Sequence, residues 1–454
     1  MKELDLTQGS VPKVLLQFAV PFLIANVLQA LYGGADLFVV GQYDDSASVA
    51  AVAIGSQVMQ TITGIILGIT TGTTVLIAIA TGAKDNRKVA FTIGASVWLF
   101  SITGVVLTLV MVLFHSRIAE LMHTPVEAMV DTKNYILVCS LGILFIVGYN
   151  VVCGILRGLG DSKTPLYFVG LACVINIVLD FILVGYFHWG ATGAAIATVT
   201  AQGVSFGIAL WFLYRHGFHF DFSRKDIRLN RNLFKKILVL GAPIALQDAL
   251  INVSFLIITV IVNQMGVIAS ASLGVVEKII VFAMLPPMAI SSAVATMTAQ
   301  NYGAGLIKRM NKCLASGIGI ALVFGVSVCV YSQFLPETLT AFFTKDAAVV
   351  AMAADYLRGY SIDCIIVSFV FCINSYFSGQ GNSLFPMIHS LIATFLFRIP
   401  LSYWFSQIDS SSLFIMGFAP PISTVVSLLI CIWYLRYTQR KLYLRGTMMP
   451  AMSN

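Results

Sequence analysis

The stretch LRGLGDSKTP at residues 156–165 recurs as FSGQGNSLFP at residues 377–386. Both versions hold two glycines, a serine and a final proline in the same order. A repeated stretch inside a longer series of matches predicts that the chain contains two copies of one structural unit. Further matches occur at the same separation in residue number, or at a separation one residue larger. They pair Gly82 with Gly303, Tyr135 with Tyr356 and Pro21 with Pro243.

The composition is that of a membrane protein. Of 454 residues, 58% are hydrophobic and 10% are charged, whereas soluble domains carry about 25% charged residues. A helix needs roughly 20 apolar residues to cross a bilayer, and the continuous apolar runs argue against the alternating pattern of a β-barrel. The predicted fold class is therefore all-α, with twelve transmembrane helices called spans 1 to 12. They are expected near residues 14–40, 50–80, 89–114, 134–156, 165–186, 191–214, 234–262, 270–300, 313–333, 349–377, 385–407 and 413–435.

The loop charges predict the orientation of these spans. Of 27 Lys and Arg residues, 21 lie in the two termini and in the loops after spans 2, 4, 6 and 8. Three lie in the loops of the opposite side, and three lie within spans. Because basic residues accumulate on the cytoplasmic side, both termini and the long loop after span 6 are predicted to be cytoplasmic. The net charge of +7 then reflects topology and contact with anionic lipid, and it requires no nucleic-acid partner.

Duplication of a six-span unit predicts two lobes of the same orientation, related by a pseudo-two-fold axis along the membrane normal, with a cleft between them. The predicted boundaries are residues 1–214 for the N-terminal lobe, 215–235 for a cytoplasmic inter-lobe loop, and 236–454 for the C-terminal lobe with its basic cytoplasmic tail. The repeated stretch would form the turn after the fourth span of each half, where glycines allow a tight bend and a proline begins the next helix. This organisation is typical of alternating-access transporters.

Several other classes of protein lack support in the sequence. GxxxxGK[ST] and HExxH motifs are absent, and the GxSxG match at 203–207 lies inside predicted span 6 and not at a strand-to-helix turn. Neither ATP hydrolysis nor another enzymatic activity is therefore indicated. The eight cysteines are scattered without CxxC spacing, which is typical of apolar packing and not of a metal site or a disulfide framework. The first apolar segment has no signal-peptide cleavage site and is expected to remain as a helix. We therefore expect a non-enzymatic membrane protein without a bound cofactor.

The sequence resembles the multidrug and toxic compound extrusion (MATE) transporters over nearly its whole length. The resemblance rests on the spacing of Pro21 and Asp36, ADLFVVG at 35–41, LRGLGDSKTP, NIVLD at 176–180 and GATGAAIAT at 190–198. It implies a V-shaped pair of six-helix lobes that export organic cations or lipophilic toxins against inward H+ or Na+. The sequence looks closer to the DinF-like branch of the family than to the NorM-like branch.

Five acidic residues lie within the predicted apolar spans. A carboxylate at a helix centre costs on the order of 3 kcal/mol on insertion scales, so such a group must pair, bind a proton or face water. A carboxyl group in this setting can bind and release a proton as its access to water changes. The acids are Asp36, Asp180, Asp248, Glu277 and Asp363, and the candidate partners for static pairs are Lys278, Arg358 and Arg398.

The resemblance implies a coupling site in the N-terminal lobe. In the DinF-like branch, residues matching Asp36, Asn176, Asp180 and Thr198 form a polar cluster that couples transport to protons. A Na+ site is the other interpretation, because two carboxylates, an amide and a hydroxyl suit a hard cation. Tyr32 and Asn150 are expected to complete the cluster, although Asn150 could equally form a purely structural interhelical hydrogen bond. Pro21 is expected to bend span 1, so that protonation of Asp36 changes the bend.

The acids of the second half match the family less well. The NorM-like branch has a Glu on span 7 and an Asp on span 10, but Asp248 and Asp363 are displaced from those positions, so the roles are not transferred. Glu277 either forms a static pair with Lys278 or belongs to the cavity. Arg398 is expected to face the cleft or an acid on a neighbouring helix. Bends are also predicted at Pro243, Pro286 and Pro287.

The balance of charge within the spans indicates the class of substrate. Five acids against three bases favour cations, and 16 Met and 31 Phe residues offer adaptable apolar and cation–π surface. The predicted function is secondary active antiport that exports amphipathic cationic drugs across the cell membrane, by a monomer. The main rival is a lipid-linked oligosaccharide flippase of the same superfamily, which the excess of acids disfavours. An intramembrane enzyme lacks a visible nucleophile–base or metal-ligand set, and a channel or receptor is disfavoured by the duplication.

Overall fold

A computed structural model describes residues 4–228, 230–408 and 412–447 of the chain, and in these ranges every regular element is helical. Among these described residues, eleven helices are long and apolar enough to cross a membrane, and a bent helix pair supplies the twelfth span. The twelve predicted spans are therefore confirmed. Spans 1 to 6 are Val11–Tyr43, Ser46–Gly82, Asn86–Leu121, the pair Val126–Leu141 and Ile143–Leu159, Lys163–Tyr186 and Gly190–His216. Spans 7 to 12 are Arg231–Asn263, Val267–Gly303, Ile307–Phe334, Ala347–Gly379, Leu384–Ile408 and Met416–Arg440.

The helices extend further than the apolar runs that predicted them. Span 4 starts at Val126, not near residue 134, and bends by 49° between its two helices. Extra turns form at the helix ends because side-chain caps satisfy backbone N–H groups there. Asp45 accepts a hydrogen bond from the Ser48 amide at 2.9 Å, and Asp85 accepts one from the Lys88 amide at 3.0 Å. The connection between spans 6 and 7 is correspondingly shorter than predicted and covers residues 217–230.

Prolines lie inside several spans without interrupting them. Span 1 continues through Pro21, span 7 through Pro243, and span 8 through Pro286 and Pro287. Each proline lacks the N–H that would bond one turn back, so it weakens the helix locally. The bends expected at these prolines remain predictions.

The two copies of the repeated stretch form the same turn. Gly160 and Gly381 both adopt left-handed backbone conformations, with φ of 99° and 86°. The next amide in each copy closes the turn on a carbonyl of the preceding helix, Asp161 on Leu156 at 2.9 Å and Asn382 on Phe377 at 3.0 Å. This closure is a Schellman motif, in which a glycine avoids the steric cost of positive φ. The second glycine of each copy is thus required by the turn.

The described chain forms two compact units. Unit 1 contains the described residues of 1–249, 296–310 and 379–381, and unit 2 contains those of 250–295, 311–378 and 382–454. Buried aliphatic residues such as Ile66, Ile136 and Ile143 form the core of unit 1, and Val262 and Val276 belong to a core of unit 2. The lobe boundaries 1–214, 215–235 and 236–454 remain predictions, and the end of the predicted tail, 448–454, lies outside the described residues.

Candidate functional site

A pair of buried carboxyl groups lies inside unit 1. Asp36 comes from span 1 and Asp180 from span 5, and both side chains are almost fully buried. Span 1 packs against span 5, so the two carboxyl groups approach closely enough to interact. Asp180 is the last α-helical residue before a π-helical segment, Phe181–Tyr186. Such π-helical segments are frequent at functional sites because they redirect side chains without ending the helix.

A short hydrogen-bond chain links span 5 to Asp36. The Nδ2 of Asn176 lies 3.4 Å from the Thr198 Oγ1, and this hydroxyl donates to Asp36 Oδ2 at 3.1 Å. Asn176 lies one helical turn before Asp180 and is also fully buried, so both side chains share one face of span 5. The structure therefore brings together all four residues predicted for the coupling site.

The cluster has unused acceptors and no compensating cation among the described residues. Asp36 Oδ1, Asn176 Oδ1 and both oxygens of Asp180 are buried without a hydrogen-bond partner in the described part of the chain. The ion pairs found there involve neither Asp36 nor Asp180, and one candidate partner, Arg358, is bound to Glu337 at 2.6 Å and Asp355 at 3.2 Å. Buried polar groups normally find a partner, and an unpaired buried charge is costly. The geometry therefore suits a proton or a small cation held between the two carboxyl groups.

A narrow crevice adjoins this cluster. Tyr32, one turn before Asp36, lies close to Thr198 and Gln202. The Tyr149 hydroxyl and Gln202 Oε1 are buried without a hydrogen-bond partner among the described residues. The crevice thus offers uncharged hydrogen-bonding groups beside the carboxyl pair. Its lining consists of Gln29, Tyr32, Tyr149, Val169, Ala172, Cys173 and Gln202.

Three polar residues of the crevice were not among the residues predicted from the sequence. Gln202 lies one turn after Thr198, Gln29 lies about one turn before Tyr32, and Tyr149 is the neighbour of Asn150. The one-turn spacing from predicted site residues was the signal for both glutamines. Asn150 itself is buried, and its Nδ2 donates to the Ile146 carbonyl of its own helix at 2.7 Å. That bond fits a structural role for Asn150, although it lies within one helix and not between two.

In unit 2, the charged residues gather around Arg398. Its guanidinium lies 4.5 Å from the centre of the Phe255 ring, within electrostatic range of Glu277 and of the buried Asp363. Glu277 Oε1 accepts a hydrogen bond of 3.5 Å from Thr259. Arg398 therefore faces acids on neighbouring helices, one of its two predicted placements. A cation over an aromatic face is attracted by the ring's electrons, so this group of residues supplies its own positive charge.

The second half has two other predicted charged positions, Lys278 and Asp248. Lys278 is exposed, and the ion pairs of the described residues do not include a Glu277–Lys278 pair. Asp248 is also exposed and belongs to unit 1. The described residues contain no group of three or more His, Cys, Asp or Glu side chains placed to hold a metal ion.

Comparison with known proteins identifies the family. The MatE family model matches residues 21–182 and 243–404. "Probable multidrug resistance protein YpnP" of Bacillus subtilis is 29% identical over 407 residues, covering 89% of this chain and 91% of that protein. "Multidrug export protein MepA" of Staphylococcus aureus is 26% identical over 380 residues, 82% of each protein.

Solved structures share the fold. A structure described as the outward-facing conformation of a multidrug resistance MATE family transporter of the MOP superfamily superposes with a TM-score of 0.90 at 23% identity, covering 97% of this chain and 98% of that one. The two segments that match the family model begin at Pro21 and at Pro243, the two prolines that the internal repeat pairs. Since the model matches both halves of the internal repeat, the chain belongs to the MatE family, whose members are membrane transporters and not enzymes.

Proposed function

We propose that this chain is a multidrug efflux antiporter, which exports amphipathic organic cations in exchange for inward H+ or Na+ by alternating access. Its curated relatives carry multidrug resistance or multidrug export names. The observation that carries the proposal is the buried Asp36–Asp180 pair, whose free oxygens have no partner among the described residues. Coupled transport requires a group that gains or loses a cation when water reaches it.

The proposed cycle uses the cost of charging two adjacent carboxyl groups. Asp36 and Asp180 repel each other when both are ionised in a dry bundle, so one proton or one cation is retained while the site is closed. Access from an acidic exterior favours loading, and access from the cytoplasm favours release. Loading removes the repulsion between spans 1 and 5, and the resulting movement of span 1 would displace the bound drug.

The drug-binding surface would include the crevice beside the coupling site. Tyr32 and Tyr149 line this crevice, and aromatic rings accommodate organic cations through their faces. Arg398 gives unit 2 an internal cation beside Phe255, so the acids of unit 2 are partly balanced. Cation binding is therefore assigned to the N-terminal half. The lipid-linked oligosaccharide flippase is the weaker candidate, because anionic head groups would meet unbalanced carboxylates there.

Transport by purified protein tests this proposal. The protein is reconstituted into liposomes, and export of a fluorescent organic cation is followed under an imposed H+ gradient and, separately, under an imposed Na+ gradient. Export driven by the H+ gradient alone supports proton coupling, whereas export driven only by Na+ assigns the site to that ion. Absence of gradient-dependent export under both conditions would reject the antiporter.

We further propose that the chain lies in the plasma membrane as a monomer, with both termini and the connection 217–230 in the cytoplasm. The excess of basic residues in these segments supports this orientation. Phe218, Phe220 and Phe222 of the connection pack against the core of unit 1, and Trp98 donates to the Ile227 carbonyl at 3.4 Å. Exposed apolar side chains of the spans would contact lipid.

Labelling of Lys225→Cys in intact cells is expected to fail with a membrane-impermeant maleimide and to succeed after permeabilisation. Lys225 is exposed, and all eight native cysteines are buried, so background reaction should be low. The control is Lys345→Cys, in a loop predicted to be external, which should react in intact cells. Labelling of residue 225 from outside would reverse the orientation.

A further inference from the structure

Residues 296–310 belong to the second half by sequence, yet they are part of unit 1. This segment contains the end of span 8, the turn after it and the start of span 9. Its packing partners in unit 1 are the end of span 2, the turn after span 4 and the N-terminal residues. These contacts involve residues that the proposed transport mechanism has not used.

Spans 2 and 8 cross at a pair of glycines that are equivalent in the internal repeat. A Cβ atom on Gly82 would overlap the Gln300 carbonyl oxygen, and a Cβ atom on Gly303 would overlap the Ile79 carbonyl oxygen. The repeat pairs Gly82 with Gly303 and, at the same offset, Ile79 with Gln300, so the two contacts are reciprocal. We call this contact the glycine crossing. Its backbones touch directly because neither helix has a side chain at the contact.

The close approach continues along span 2. A Cβ atom on Gly72 would lie 2.6 Å from the Ile237 carbonyl oxygen, and one on Gly241 would lie 2.6 Å from the Ile69 Cα. Beside these contacts, Ala78 of span 2 and Ala299 of span 8 are buried in a small apolar cluster. Backbone contact between smooth helix surfaces lacks interlocking side chains, so two such surfaces can separate without repacking a core.

The N-terminal residues 4–9, here the N-terminal strap, tie this region together. Arg309 donates to the carbonyl oxygens of Leu6, Gln8 and Gly9, at 3.4, 2.5 and 2.6 Å. Asn301 Nδ2 also donates to the Leu6 carbonyl at 3.2 Å. Arg309 therefore holds three carbonyls of the strap with one guanidinium.

The strap also reaches the turn made by the repeated stretch. The Leu4 amide donates to the Gly160 carbonyl at 3.4 Å, and a Cβ atom on Gly160 would lie 2.6 Å from the Leu4 oxygen. Gln300 Nε2 donates to the Gly158 carbonyl at 3.1 Å. The strap, the turn after span 4 and the end of span 8 thus form one hydrogen-bonded layer at a single face.

We propose that the glycine crossing and the N-terminal strap form a gate that closes the cytoplasmic face, with Arg309 as its latch. The inference rests on the proposed alternating-access function, because such a cycle must open this face and close it again. The gate is reversible for two structural reasons. The glycines bring two bare backbones together, and the hydrogen bonds from Arg309 to the Gln8 and Gly9 carbonyls are exposed, so water can replace them.

Accessibility of a cysteine placed under the gate tests the proposal. Ala78→Cys serves as the reporter, because Ala78 is fully buried beside the crossing and the native cysteines are also buried. The full-length chain in inverted membrane vesicles is treated with a membrane-impermeant maleimide. Gly82→Ala and Gly303→Ala should each raise the labelling rate of the reporter several-fold, because the added methyl group prevents closure. Gly64→Ala is the matched control on span 2, since a Cβ atom there meets nothing within 4 Å, and its rate should be unchanged.

The latch gives an independent arm of the experiment that does not alter helix packing. Arg309→Gln and removal of residues 2–9 should also raise the labelling rate, Arg309→Lys should raise it less, and the neighbouring Lys308→Gln should not change it. If Gly82→Ala fails to fold, these variants decide the question. Unchanged labelling in folded latch variants would overturn the gate. Labelling does not require transport, so the two proposals can fail separately. If the gate variants do not raise the labelling rate but gradient-driven export is normal, the gate alone is rejected. If they raise the labelling rate but the protein shows no gradient-driven export, the proposed function alone is rejected.

Discussion

Asp36→Asn is expected to reduce gradient-driven drug export to the level of protein-free liposomes while leaving the folded protein intact. The amide keeps the size of the side chain and can still accept from Thr198, whose hydroxyl lies 3.1 Å from Asp36 Oδ2. The amide cannot take up or release a proton, so no change of charge at residue 36 is available to move span 1. Replacing a buried carboxyl by an amide also removes a charge that is costly to bury, so the melting temperature should not fall.

The measurement is the initial rate of export from reconstituted liposomes, with thermal unfolding in detergent as the test of folding. Thr198→Val provides a graded control, because it removes the hydroxyl that bridges Asn176 and Asp36 but keeps both carboxyl groups. A single hydrogen bond contributes about 0.5–1.5 kcal/mol, which corresponds to about ten-fold or less in an equilibrium constant. Parental rates of export by the Asp36→Asn protein would contradict the coupling site.

Asp180→Asn is expected to damage proton-driven export about as much as Asp36→Asn. The two carboxyl groups lie within electrostatic range of each other, and groups coupled in this way exchange protons as a pair, not as separate sites. Replacing either one removes the repulsion that makes the pair retain a single proton. The remaining carboxyl group then has no charged neighbour, so its proton binding no longer changes when water enters from one side of the membrane or the other.

Drug-induced proton release from the purified protein separates this pair from the acids of unit 2. Release should be lost in Asp36→Asn and in Asp180→Asn. Asp363→Asn is the matched buried acid, within range of Arg398 in unit 2, and it should retain proton release while changing the relative rates for different drugs. Normal release in the first two variants, with loss in Asp363→Asn or Glu277→Gln, would move the coupling site into unit 2.

Local features of the sequence were sufficient to predict the number of spans, the duplication and the turns between matching spans. Span number follows from the length of each apolar run, because an isolated helix satisfies its own backbone in lipid. The turns also depend only on residues that are close together in the sequence. Gly160 and Gly381 have positive φ because of the closure of the helix that precedes them. Lys84 and Gly305, which the internal repeat also pairs, share that geometry with φ of 56° and 72°.

Part of the candidate site was also accessible from the sequence. Asn176 and Asp180 share a face because they are one turn apart on one helix. Their meeting with Asp36 and Thr198 was implied only by the family resemblance, since helical spacing does not say which helix lies opposite. The assignment to the DinF-like branch, the monomeric state and the identity of the coupling ion remain predictions.

Only the tertiary structure shows which faces of different helices meet. Gln202 of span 6 lines the same crevice as Tyr32 of span 1, and Arg398 lies over the ring of Phe255 in unit 2. Arg309, from the second half of the sequence, meets the N-terminal strap, which no local pattern could indicate. Helix periodicity fixes the relative directions of side chains within one span, whereas contacts between spans depend on how closely their surfaces fit. That fit is set by glycines such as Gly82 and Gly303, whose importance appears only when the opposing backbone is known.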